Sequence, residues 1–148
     1  MLASPENGVA LLKNRPVFTW EAEEEANYEI SLHELPERLI VDAKVSDSSW
    51  QLPPELTLEA GKSYRWTVSY VSPNDGKSYS AISSFSVVGK AEADEVAALK
   101  PADGAAIEEW IMYAALLQNR QIREEARNAW QLIAARRPDL RKAQELAR

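Results

Sequence analysis

The sequence predicts a β-sandwich of about seven antiparallel strands over residues 1–90, followed by a small C-terminal α-helical segment over residues 91–148. Three observations carry this. From Tyr64 to Tyr70 the chain alternates without a fault: Tyr64, Trp66, Val68 and Tyr70 point one way, Arg65, Thr67 and Ser69 the other. That is the period of a strand with one apolar and one solvated face. Shorter runs of the same kind recur through residues 1–90 with proline, glycine and asparagine between them, the spacing of a stack of short strands. At Gly89-Lys90 the composition changes, and from Ala91 onward alanine, glutamate, leucine and arginine dominate. Those are helix formers.

In chain order, Pro5-Glu-Asn-Gly8 is a turn and Val9–Leu12 a first edge strand. Pro16–Trp20 follows, with Phe18 and Trp20 on one face. The acidic run Glu21–Glu25 reads as a solvated hairpin end, and Tyr28, Ile30 and Leu32 alternate inward on the next strand. Leu35-Pro-Glu breaks it. Leu39–Val45 is a further strand, and Trp50 with Leu52 a short one that Pro53-Pro54 ends, because proline cannot donate to a ladder. After the organising strand, Ser72–Lys77 is a hairpin turn with Gly76 available for a positive φ. The last strand runs from about Ser80 to Val88, with Phe85 and Val87 inward.

Beyond the composition change, Glu92–Leu99 predicts a short helix, acidic at its start as the helix dipole favours. Ile107–Asn119 is a second helix and Gln121–Ala135 a third. Ile122, Ala126, Ala129, Trp130 and Ile133 form one apolar stripe on the latter. Pro138 stops it, and Leu140–Arg148 starts another. Trp110–Leu117 carries no charged residue over two turns, which predicts a helix covered on more than one side.

Two resemblances follow from these residues. Phe18-x-Trp20, Tyr28-x-Ile30-x-Leu32, Leu58-x-x-Gly61-x-x-Tyr64-x-Trp66-x-Val68 and Phe85-x-Val87 resemble fibronectin type III-like (immunoglobulin-like) modules of bacterial cell-envelope proteins, over residues 4–88. The resemblance implies a tyrosine corner, in which the Tyr64 hydroxyl bonds to upstream backbone. Trp110-x-x-Tyr113-Ala114-x-x-Leu117, Ala126-x-x-x-Trp130 and Pro138 resemble a single tetratricopeptide-type helical hairpin, over residues 107–140. It departs from that repeat at Tyr113 and Ala114, where leucine and glycine are usual. A lone repeat cannot bury its own faces and needs a neighbour.

Composition excludes several chemistries. The net charge of −6 argues against a general nucleic-acid binder, which needs a basic surface to release phosphate counterions. With no cysteine there is no disulfide, thiolate nucleophile or thiolate metal site. No apolar run approaches the roughly 20 residues that span a bilayer, and Met1-Leu-Ala-Ser-Pro lacks the basic start and apolar core of a signal peptide. The chain therefore reads as a fragment or mature segment of something longer, with any targeting signal outside it. His33, the one histidine, has no second ligand or nucleophile at a recognisable spacing and reads as a surface residue. Glu21, Glu23, Glu24 and Glu25 lack the interleaved asparagine and glycine of a calcium loop. No catalytic residue, metal ligand or cofactor is assigned.

Residues 91–119 set one basic side chain against six acidic, net −5, and residues 120–148 set eight against four, net +4. Arg120, Arg123, Arg127, Arg136 and Arg137 are accordingly the candidate partner-facing residues, weighed against a solvated helix face. The expectation is a non-enzymatic protein-interaction or structural spacer module of a larger bacterial envelope protein. Its partner is a protein or a neighbouring domain of the longer chain, in the periplasm or another extracytoplasmic space, with the cytoplasm as alternative. The other functional expectation is a carbohydrate or small-ligand domain using exposed aromatics of the sandwich. An exposed Trp50 beside another exposed aromatic favours that second reading; burial of all five tryptophans favours the first.

Overall fold

The computed structural model describes residues 3–148. Met1 and Leu2, the start of the stretch read above as lacking signal-peptide features, lie outside the described residues. The chain forms two compact units, one ending at Val88 and the other running from Gly89 to Arg148.

The first unit holds β1 (Ala3–Ser4), β2 (Ala10–Leu11), β3 (Val17–Trp20), β4 (Tyr28–Glu34), β5 (Arg38–Val45), β6 (Ser49–Gln51), β7 (Ser63–Val71) and β8 (Ser78–Val87). They make a three-stranded sheet, β1-β3-β6, and a five-stranded sheet, β2-β8-β7-β4-β5, an arrangement compatible with a sandwich. One pairing departs from the all-antiparallel expectation, since β2 runs parallel to β8. Far apart in sequence, these two strands have no tight turn between them to dictate an antiparallel course. The run Glu21–Glu25 also differs from its expected role as a hairpin end. It joins strands that belong to different sheets, so it is a crossing between layers.

The sheets share one core. Phe18 on β3 lies 5.1 Å edge-on from Trp66 and 6.0 Å from Phe85, and Trp20 lies 5.6 Å from Tyr28. The inward set Tyr64, Trp66, Val68 and Tyr70 is buried throughout, as the alternation predicts. The Trp66 indole N–H is satisfied inside by the Pro5 carbonyl at 3.1 Å. Trp50 is only half-buried, with its ring 5.3 Å from Phe18. The corner before β7 forms as well. Glu59 N–H donates to the Tyr64 hydroxyl at 2.8 Å, and Gly61 holds φ +79° while its N–H reaches the Val87 carbonyl at 2.8 Å. A side chain at that φ would be strained.

The second unit holds α1 (Lys90–Leu99), α2 (Ile107–Asn119), α3 (Arg123–Arg136) and α4 (Arg141–Leu146). The stripe Ile122, Ala126, Ala129, Trp130 and Ile133 is buried. The third helix starts later than its periodicity suggests. Gln121 takes φ 63° and Ile122 has a non-helical backbone, with φ −84° and ψ 70°, before α3 begins. The short link has to reverse the chain while seating Ile122 in the core, fully buried with its N–H on the Leu117 carbonyl at 2.9 Å. On α2 the cover is one-sided. Trp110, Tyr113, Ala114 and Leu117 are buried, whereas Met112 is 74% exposed. The apolar stripe of α3 covers one face of α2, as its spacing predicts, and Met112 marks a side that stays open.

Truncation of Trp66 to alanine is expected to cost about 3–5 kcal/mol, the range for a large aromatic lost from a core. Chemical denaturation checks it, and a loss below about 1 kcal/mol, an ordinary surface effect, would contradict the assigned role.

Candidate interaction surfaces

The Glu21–Glu25 crossing and the β7–β8 turn meet at one end of the first unit. Ser72 is buried there, and its hydroxyl donates to Glu24 Oε1 at 2.7 Å. The Asn74 amide donates to the same oxygen, and the Tyr28 hydroxyl donates to the Glu24 backbone carbonyl at 2.6 Å. The turn also caps itself. Ser72 Oγ accepts from the Asn74 and Asp75 N–H groups at 3.1 and 3.3 Å, and Asp75 accepts from Lys77 N–H at 2.8 Å and from the Tyr79 hydroxyl at 2.5 Å. Local bonding of this kind is why serine, asparagine and aspartate occupy turns.

Beneath these contacts runs an aromatic ladder. Tyr28 lies 4.9 Å from Tyr70, which stacks on Tyr79 at 5.5 Å. Tyr79, at 41% exposure, carries the ladder to the surface. Beside it lies a concavity of about 1000 Å³ lined by Glu25, Glu29, Ser69, Pro73 and Tyr79 among others. Burial, then the Glu24 carboxylate, pushes the Tyr70 hydroxyl up to about 12. The Tyr79 hydroxyl and then the Lys77 amide hold the Asp75 carboxyl below the ordinary aspartate value. This end offers hydroxyls, carboxylates and one open ring. Among the described residues it brings together no nucleophile with a base.

The five arginines do not form one patch. Arg120 sits at the end of α2 and pairs with Glu92 at 3.5 Å and Glu95 at 2.9 Å, both on α1. Those pairs hold its guanidinium above its ordinary value, the bond to Glu95 chiefly. Arg136 donates to the Ala105 carbonyl at 2.8 Å and to the Asp103 carbonyl. Arg137 makes a two-point contact with Asp139 at 2.8 and 3.0 Å. Arg123 and Arg127 alone come together, around a small cleft of about 390 Å³ that also borders Trp130 and Arg148. There Arg123 donates to Gln121 Oε1 and Arg127 to the Arg148 carbonyl, each at 2.9 Å. Every one of the five is engaged by groups of the second unit.

His33 is half-buried on β4, next to a register shift between Leu32 and His33, and its Nδ1 is buried with no hydrogen-bond partner. Among the described residues no group of three or more histidine, aspartate or glutamate side chains is placed to hold a metal ion, and no helix is long and apolar enough to cross a membrane. Sequence reasoning missed Glu24 and Tyr79. Tyr79 lies at the start of β8, just before the strand expected from about Ser80, a signal within reach, whereas Glu24 looks like any member of its acidic run.

Tyr70 is expected to lose its proton near pH 12, well above the ordinary value of 10. Because the folded value is raised, its contribution to stability is whole below pH 10 and is lost as pH rises toward 12. Site-resolved NMR titration of the tyrosines checks this. Glu24→Gln is expected to lower the value only in part, since burial is the larger cause.

No family model matches the chain, and no curated protein matches it.

Proposed function

We propose that the chain is a non-enzymatic protein-interaction or spacer module of a larger bacterial envelope-associated protein, active outside the cytoplasm. In this reading the first unit is a fibronectin type III-like sandwich. The three- and five-stranded sheets and the Tyr64 corner support that class. The second unit is a tetratricopeptide-like hairpin that stacks against a neighbour. The observation that carries the reading is α2, where Met112 is 74% exposed between half-buried Ile111 and Leu116. A helical repeat with one bare apolar face is completed by another helix laid on it.

The carbohydrate alternative would rest on Tyr79. Trp50 does not stand beside a second exposed ring, because its neighbour Phe18 is fully buried, and a sugar platform needs open ring faces.

A photo-crosslinking residue at position 112, in the intact protein in its native cell, is expected to trap one discrete protein or one neighbouring domain. The same probe at exposed Asn128 on α3 serves as the control. Equal and diffuse labelling at both positions overturns the reading.

A further inference from the structure

We infer that the outer edge of β8 from Ser78 to Ile82 is a docking edge for a basic peptide that adds to the sheet as an extra strand. The first observation is an unfinished ladder. β2 pairs with β8 only at Ser86 and Val87. Just before it, Gly8 N–H bonds the Ser84 carbonyl at 2.7 Å, and the Asn7 side chain accepts from Ser84 N–H at 2.9 Å. The pairing of β8 with β7 is regular throughout, from Ser63 opposite Ser86 to Val71 opposite Ser78. Backbone direction alternates along a strand, so the outward residues Ser84 and Ser86 are continued by Ile82, Ser80 and Ser78. Among the described residues no strand lies against those three on that side.

The second observation is that this edge is unguarded. Sheet edges are normally blunted by charge, proline or brevity. The other long edge, β5, carries Arg38, Asp42 and Lys44. Ser78-Tyr-Ser-Ala-Ile82 carries no charge, and Ile82 is 62% exposed.

The third observation names the occupant. Two crevices open along the inter-sheet side of this edge. One borders Tyr79 and Ser80, with Glu21 and Glu23 on its wall; the other, of about 540 Å³, borders Ala81–Ser83 and Trp20, again with Glu21. They lie two residues apart, the spacing of successive side chains on one face of an added strand. The first suits lysine or arginine, between carboxylates and the Tyr79 ring. The second suits a small apolar side chain against Ala81 and Trp20. Charge agrees: residues 1–88 set seven basic side chains against thirteen acidic and hold the whole net −6. A second copy pairing here would bring Glu21 and Glu23 toward their own counterparts, so charge favours a basic peptide over self-association.

This edge belongs to the first unit, and the inference stands apart from the reading of α2. The test uses the full chain and the peptide acetyl-Thr-Arg-Thr-Val-Thr-Ile-amide, followed by NMR. Saturable shifts and slowed amide exchange at Ser78, Ser80 and Ile82 are expected, weakening as salt rises. Ser80→Pro removes an outward N–H and leaves the β7 ladder intact, and is expected to lower affinity about tenfold. Glu21→Gln with Glu23→Gln leaves the backbone untouched and is expected to lower affinity about two- to fivefold and flatten the salt dependence. The inference is overturned by unchanged shifts at residues 78–82 up to millimolar peptide, or by equal binding of a peptide N-methylated at alternate residues. It is equally overturned if sedimentation shows a dimer and residues 78–82 are protected without peptide, since the occupant is then a second copy.

Discussion

The first unit depends on how Trp66 is seated. It stands on β7, inside the five-stranded sheet, and its ring meets Phe18 at 5.1 Å and Trp20 at 6.4 Å from the other sheet. Its indole N–H reaches back to Pro5, before β2. One side chain thus joins two sheets and the segment that passes between them. A buried indole N–H left unpaired costs on the order of 1–3 kcal/mol. The Pro5 bond therefore fixes the course of the first residues, and with it the placement of β2 beside the end of β8. Because β2 is so short, the rest of β8 is left as an edge.

The second unit obeys a different constraint, the reversal between α2 and α3. Ile122 is fully buried, Gln121 takes a left-handed conformation, and the Trp130 indole N–H crosses to Gln118 Oε1 at 3.1 Å. Arg120, in the same link, holds α1 through Glu92 and Glu95. Arg136 ties the end of α3 to the loop before α2. Arg120 and Arg136 thus act as fasteners between elements of this unit.

This changes the electrostatic picture. Over residues 89–148, ten basic and ten acidic side chains cancel, so the entire net charge of the protein lies in residues 1–88. The blocks of −5 and +4 inside the second unit face each other in part, as the Arg120 pairs show. Long-range attraction of a charged partner is then a property of the acidic first unit. Exposed pairs such as Arg137 with Asp139 contribute little to stability, because water and salt screen them.

Much of the fold was legible because it is local. Alternation from Tyr64 to Tyr70 fixes which side chains share a face, since a strand's geometry allows nothing else. The stripe from Ile122 to Ile133 does the same for a helix, and the Leu58, Gly61 and Tyr64 spacing implied a corner whose hydroxyl bond to Glu59 is present. What the residues could not state by themselves is which distant groups meet. Glu24 binds Ser72 across 48 positions, and Arg136 binds the Ala105 carbonyl across 31. Nothing in the acidic run singles out Glu24, and nothing in the five arginines separates a fastener from a solvated charge. The sequence by itself determined the alternation, the helical stripe and the division of charge, because each depends on neighbours along the chain. Tertiary structure alone decided the partners of Glu24 and the arginines, the parallel course of β2, the bare face at Met112 and the open stretch of β8, because each depends on where distant backbone comes to rest.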